Sequence, residues 1–328
     1  MIHGKKIAIL GCKHTTKDLI EGLLVSGITI DHVITISSDK AETQEVAGYY
    51  DLSNYLQSLN IPFSIVESYN LKNTDDIELI LKLKMDLLLV MGWQRLIPDW
   101  MLKSLSVGAF GMHGSNKPLP HGRGRSPLNW SLIQGKKIFF THLFQYLPGV
   151  DDGPIVGDQV FEITDYDDAH TLHFKNLLSM KRLCVEAIPK LALGTAEYRE
   201  QPKEGACYYP KRSAEDGIVF WTNSTYDVFN LVRAVTKPFP GAFSYINNDK
   251  SKKLTIWKAI PFDSHIRWPN ALPGDVLEVF YDGSFIVKTG DTSILIQEYE
   301  IPSDVFITPQ VRLGTSDILP KTWLSLPN

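Results

Sequence analysis

Lys6-Ile7-Ala8-Ile9-Leu10-Gly11-Cys12-Lys13-His14-Thr15-Thr16 passes from a β-branched apolar run through a glycine into a segment of helical spacing. Residues 6–10 have the length and composition of a buried strand. Over 15–26 the apolar residues Leu19, Ile20, Leu23 and Leu24 share one helical face. A strand that turns directly into a helix is the opening unit of an α/β sheet. Two lysines ahead of an apolar stretch also begin export signals. This stretch, however, stops at once in Gly11-Cys12-Lys13-His14, so a first strand is the better reading. The turn lacks the Gly-x-Gly-x-x-Gly spacing that cradles a dinucleotide, which disfavours a nicotinamide enzyme.

The alternation continues outward. Residues 30–36, 62–66, 86–90 and 107–112 are further apolar runs of strand length. Segments 52–59, 74–84 and 98–105 have helical spacing and recognisable starts, with Asn73 or Thr74 ahead of Asp75-Asp76 and Pro98 in a first turn. This order predicts a doubly wound, mostly parallel sheet, whose ligands bind beyond the carboxyl ends of the strands, on the loops after Val90 and Met112. A helix over 127–135 with Ser126 as cap, a strand over 138–147 stopped by Pro148-Gly149, and a long helix over 168–193 ended by Gly194 follow. Residues 195–208 are polar, carry Pro and Gly, and read as a linker. Beyond it, one helix at 225–235 precedes short alternating runs at 242–246, 253–259, 276–281, 284–289 and 293–298, joined by turns such as Tyr281-Asp282-Gly283-Ser284. The expected organisation is an α/β catalytic domain over 1–200 and a small antiparallel β-barrel-like domain over 207–318.

A length of 328 residues suits two domains, and 44% apolar and 21% charged residues are ordinary values for a globular chain. The longest uncharged apolar run, 87–93, is too short to cross a bilayer. The formal charge is −4 and the Lys and Arg residues are dispersed. This argues against a chain that grips a long stretch of nucleic acid, because phosphate neutralisation supplies most of that affinity. The one basic cluster, 250–253, fits a solvated hairpin turn. Cys12, Cys184 and Cys207 are widely spaced, form no Cys-x-x-Cys pair, and fit buried thiols in a reducing, cytoplasmic compartment. His170 and His173 lie one helical turn apart without a third ligand, so they read as surface or packing histidines and no metal is expected.

The chemistry-bearing residues concentrate in Phe110-Gly111-Met112-His113-Gly114-Ser115-Asn116-Lys117-Pro118-Leu119-Pro120-His121-Gly122-Arg123-Gly124-Arg125-Ser126-Pro127-Leu128-Asn129-Trp130. A structural loop explains the glycines and prolines. It does not explain a histidine at the carboxyl end of a strand among so many polar groups. Further on, Leu147-Pro148-Gly149-Val150-Asp151-Asp152-Gly153-Pro154 places paired acids at another strand-end turn, which turn formation alone accounts for.

Together the two segments resemble the folate-dependent formyltransferase family. Its pattern is Asn-x-His-(Pro/Gly)-Ser, then Leu-Pro, Arg-Gly, (Ala/Ser)-Pro and Trp, with Asp-x-Gly a few dozen residues after the histidine. His113-Gly114-Ser115, Arg123-Gly124-Arg125, Ser126-Pro127-Leu128-Asn129-Trp130 and Asp151-Asp152-Gly153 match in order. Met91-Gly92-Trp93-Gln94-Arg95-Leu96-Ile97-Pro98 takes the place of the loop that borders the pterin. Tyr209-Pro210-Lys211-Arg212 and Pro238-Phe239-Pro240-Gly241-Ala242 look like the two-domain members, in particular the nucleotide-linked amino-sugar N-formyltransferases.

The resemblance implies a formyl-transfer enzyme with N10-formyltetrahydrofolate as donor and no metal. It makes His113 and Asp151 catalytic: His113 donates to the carbonyl oxygen or manages protons, and Asp151 holds the imidazole and accepts a proton. It assigns Met91, Gly92, Trp93, Leu96, Ile97, Arg123, Val150 and Asp151 to the folate. Gly114, Ser115, Tyr209 and Lys211 go to the acceptor substrate. One departure matters: the asparagine two residues before the histidine is Gly111 here, and two extra residues after His113 bring in Asn116. Three readings stand: Asn116 restores the amide, a water or the Gly111 N–H replaces it, or the chain binds folate without transferring formyl. Loss of one oxyanion donor costs on the order of 10²–10³ in rate. The expected acceptor is a small nucleotide-linked amino deoxysugar of surface-polysaccharide biosynthesis, with no nucleic-acid or membrane partner and compatibly with a homodimer. The alternatives are a methionyl-tRNA formyltransferase, a folate-binding regulator that has lost catalysis, and a hydrolase releasing formate.

Overall fold

The computed structural model describes residues 2–46 and 48–322. Ile7–Leu10 (β1) is buried along its whole length, as a central parallel strand with apolar residues on both faces must be. It pairs in parallel with His32–Thr35 (β2) on one side and, on the other, with Leu87–Val90 (β4). Phe63–Ile65 (β3) and Gly108–Ser115 (β5) extend the parallel part outward. After the two-residue strand Arg123–Gly124 (β6), Ile138–Gln145 (β7) runs antiparallel to β5, and Ile155–Glu162 (β8) closes the edge. The order β3-β2-β1-β4-β5-β7-β8 is that of a doubly wound, mostly parallel sheet. It reverses direction between β1 and β4, the position beyond whose strand ends doubly wound sheets bind their ligands.

Alternate residues of the strands enter two cores. His14–Val25 (α1) and Ala169–Leu193 (α7) contribute Leu19, Ile20, Leu23, Leu183 and Ile188 to one, with Ile7, Ile9, Leu87, Leu89 and Phe110. Leu56 of Ser53–Ser58 (α3) joins the same core. Ala41 of Ser38–Thr43 (α2), Ile80 of Thr74–Leu83 (α4) and Met101 of Asp99–Ser104 (α5) join the other, with Ala8, Leu10, Leu88, Val90 and Ala109. The helix starts have local causes. Asn73 Oδ1 accepts from Asp75 N–H at 2.8 Å and Asp76 N–H at 3.4 Å. Asp168 and Thr171 cap each other reciprocally at 2.9 and 3.0 Å. Ser126 does precede Pro127–Ile133 (α6), but its side chain caps nothing and its backbone is left-handed, φ 54°. Helix α2 and strand β8 were not expected. Strand β8 is a half-exposed edge strand without clean alternation, so periodicity has nothing to report there.

The chain forms two compact units. The first takes the chain up to Arg123, Phe140–Phe161 and Lys175–Ala206; the second takes Gly124–Phe139, Glu162–Phe174 and the chain from Cys207 on. The second unit begins, after the linker, with Tyr208–Tyr209 (β9) and then Thr225–Val235 (α8). Its sheet is antiparallel: Ala242–Ile246 (β10), Lys253–Asp263 (β11), Val276–Val279 (β12), Phe285–Lys288 (β13), Ser293–Glu300 (β14) and Leu313–Gly314 (β15), in the order β12-β13-β14-β11-β10-β15. Three register shifts between β11 and β14 bend this sheet into an open half-barrel. Within this unit Asn129 Nδ2 donates to Ala234 O at 2.6 Å and Arg233 Nη1 donates to Thr164 O at 2.7 Å. These bonds anchor the two earlier segments, 124–139 and 162–174, to α8.

Candidate active site

His113, Asp151 and the residues bonded to them lie in the first unit. His113 stands on β5 opposite His142 of β7. Its Nε2 is 2.8 Å from Gly122 O. A carbonyl oxygen can only accept, so Nε2 carries the hydrogen and donates. Its Nδ1 is 3.4 Å from Asp151 Oδ2, and the two side chains are 9% and 17% exposed. That distance is somewhat longer than a short hydrogen bond, as is common in active sites before substrate is bound. Two distant motifs therefore meet as an imidazole and a carboxylate.

Asp151 has φ 52°, a left-handed conformation that costs a residue with a Cβ roughly 1–2 kcal/mol and needs surrounding support. Gln201 gives that support: its Nε2 donates to Asp151 O and Gly153 O, both at 2.8 Å. Gln201 Oε1 in turn accepts from Arg123 Nη2 at 2.7 Å. Arg123 is thus buried and bonded to the residue that positions the Asp151 turn. Gln201 lies in the polar stretch read as a linker, where no periodicity or motif marks it.

The loop after β4 is tied to the first turn. Met91 O accepts from Thr16 Oγ1 at 2.7 Å, and Cys12 Sγ lies 3.5 Å from Gly92 O. A Cβ on Gly11 would collide with Met91 O, which is why a glycine follows β1. The Trp93 ring is buried, edge-on to Tyr69 with centroids 4.5 Å apart, so it packs in the core rather than offering a stacking face. Its Nε1–H has no partner among the described residues. Ile97 is buried, while Leu96 and Val150 are apolar and exposed.

Gly114, Ser115 and Asn116 are buried at the end of β5 and just after it, with Ser115 Oγ donating to Asn116 Oδ1 at 3.3 Å. Asn116 is not what fills the space beside Gly111. A Cβ placed on Gly111 would overlap Tyr146 Cε2 and lie 2.7 Å from Tyr146 Cζ and Oη, and these are its three nearest atoms. Burial pushes the Tyr146 phenol well above its ordinary pKa, and the charge of Asp151 adds to the effect. Beside His113, the His142 ring is fully buried, its Nδ1 has no partner among the described residues, and burial lowers its pKa to about 4.

Tyr209 and Lys211 belong to the second unit. Tyr209 is buried, stacked on Trp130 at 6.0 Å, and donates its hydroxyl to Gln134 Oε1 at 2.9 Å, so its ring is a core element without an open surface for substrate. Lys211 is exposed. Among the described residues no disulfide joins Cys12, Cys184 or Cys207. Burial raises the thiol pKa of Cys12 to about 11 and of Cys184 to about 12. Among the described residues no three His, Cys, Asp or Glu side chains gather as a metal site, and no helix is long and apolar enough to cross a membrane.

Two family models match the chain: formyl transferase over residues 5–188, and formyl transferase, C-terminal domain, over 211–309. Among solved structures it is similar to an N-formyltransferase from Helicobacter canadensis in complex with folinic acid and dTDP-3-aminofucose, with TM-score 0.64 and 18% identity over 92% of this chain and 100% of that one. It is similar to HypX from Aquifex aeolicus, with TM-score 0.63 and 18% identity over 91% of this chain but 45% of that one, so it spans less than half of the HypX chain. It is also similar to methionyl-tRNA formyltransferase from Clostridium thermocellum, with TM-score 0.56 and 16% identity over 91% and 99% of the two chains. At these identities the structural likeness establishes the fold.

Proposed function

The chain belongs to the formyl transferase family and is a formyl-transfer enzyme, and on that premise we propose that its donor is N10-formyltetrahydrofolate and its acceptor the primary amine of a nucleotide-linked amino deoxysugar. The observation that carries the reading is the contact of His113 Nδ1 with Asp151 Oδ2, 3.4 Å apart and little exposed, at the carboxyl end of β5. In the reaction the amine attacks the formyl carbon, forming the new C–N bond while the carbonyl π pair moves to oxygen. Collapse reforms the carbonyl and breaks the bond to N10. Asp151 takes the proton that the attacking nitrogen sheds, His113 holds the carboxylate in place, and the same proton is passed to N10 as the bond from carbon to N10 breaks.

Exposed apolar Leu96 and Val150 and the supported Asp151 turn support a pterin as the ligand beside them. The net charge of −4 disfavours tRNA and so supports a small acceptor such as a nucleotide sugar. The nucleotide-linked amino sugar in the Helicobacter structure adds to that support. The test is an acceptor screen with N10-formyltetrahydrofolate, read by mass spectrometry as the gain of one CO. A formylated nucleotide sugar, absent with Asp151→Asn, is the expected product. Formylated methionyl-tRNA would replace the sugar with the alternative acceptor. Formate without any amine would mean a hydrolase, and folate binding without turnover a regulator.

A further inference from the structure

We propose that the phenol of Tyr146 is the hydrogen-bond donor to the developing oxyanion, standing where the family pattern has an asparagine amide. The inference rests on the formyl-transfer reading above and names the residue that completes its site. Strands β5 and β7 pair with Gly111 opposite Phe144 and His113 opposite His142. The Tyr146 N–H donates to Ala109 O at 2.8 Å, continuing the same ladder. Residues opposite one another in a ladder share a face, so Gly111, His113, His142 and Tyr146 project to one side of the sheet. On that side the ring of Tyr146 fills the volume a side chain at 111 would need, with its hydroxyl 2.7 Å from the Cβ position.

Glycine at 111 is therefore the complement of tyrosine at 146. A side chain at position 111 would displace the ring and its hydroxyl with it. The phenol keeps its proton, because burial and the nearby Asp151 carboxylate both disfavour the phenolate. The imidazole cannot serve as readily: Nε2–H is given to Gly122 O at 2.8 Å and Nδ1 faces Asp151. The step leaves the proton count unchanged. As the amine's lone pair forms the C–N bond and the carbonyl π pair moves to oxygen, Tyr146 O–H donates a hydrogen bond without transferring its proton. It releases the oxygen when the carbonyl reforms and N10 departs.

The test follows loss of the formyl group from N10-formyltetrahydrofolate, which reads the same oxyanion whether the nucleophile is the proposed sugar, another amine or water. Tyr146→Phe keeps the ring beside Phe144, at a centroid distance of 5.2 Å, and removes only Oη. Its kcat is expected to fall on the order of 10²–10³, with KM for the donor and the melting temperature unchanged. Gly111→Asn alone is expected to lose activity and stability by displacing the ring. Gly111→Asn with Tyr146→Ala restores the family amide and is expected to recover a large part of the rate. The proposal is overturned if Tyr146→Phe turns the donor over at nearly the wild-type rate, if its loss lies in KM alone, or if Asn116→Ala shows the large kcat loss instead. Formyl transfer to an acceptor other than a sugar, slowed by Tyr146→Phe, overturns only the acceptor assignment. A wild-type protein inert toward the donor overturns both readings.

Discussion

His142 illustrates how one buried side chain ties the site to pH. Burial is the main reason its pKa lies near 4, opposed in part by the charge of Asp158. Its ordinary value is 6.5, so the unfolded chain takes up a proton first as the pH falls. The stability tied to its neutral form is complete above about pH 6.5 and is lost progressively toward pH 4. The melting temperature of the wild-type protein is expected to fall through that window, and that of His142→Gln to fall less steeply. Parallel slopes in the two proteins would remove His142 from the account. At this scale His113 and Asp151 were legible, because each lies in a short motif whose residue types and order carry meaning. Tyr146 was not. Nothing local distinguishes it from a strand residue, and its partner Gly111 reads as one more glycine in a glycine-rich stretch until the two strands are paired.

Among the elements, the helices and the central strands follow from short-range rules, and those rules are separately testable. Asn73 satisfies two backbone N–H groups at the start of α4. Asn73→Ala should therefore cost about 1 kcal/mol, seen as a lower denaturant midpoint with an unchanged slope. Ser126 occupies the same position before α6 and makes no such bond. Ser126→Ala should accordingly show no loss attributable to capping. Reading a cap from residue type alone succeeds at Asn73 and overreaches at Ser126, because Ser126 has a left-handed backbone, φ 54°, where a capping residue is extended. Strand β8 escaped notice for a related reason. An edge strand with mixed burial needs neither a continuous apolar run nor strict alternation.

For the whole molecule, the charge of −4 and the dispersed cations make a quantitative claim about the acceptor. A protein that neutralises six to ten phosphates loses roughly 10³–10⁵ in affinity between 50 and 200 mM salt. The acceptor kcat/KM here is expected to change only a few-fold over that range, as steady-state kinetics at both salt concentrations would show. A steep decline would return methionyl-tRNA to consideration. The α/β sheet, the antiparallel second sheet and the order of the catalytic motifs were all present in the linear pattern, because strand length, helical period and turn chemistry are set by neighbours in the chain. Tertiary structure alone decided that Gln201 braces the Asp151 turn, that Tyr209 is a core residue, that segments 124–139 and 162–174 join the second unit, and that Tyr146 lies over Gly111. Each of these depends on the register and packing of residues far apart in sequence. Such pairings are selected by how surfaces fit and bury one another, a quantity that no window of consecutive residues contains.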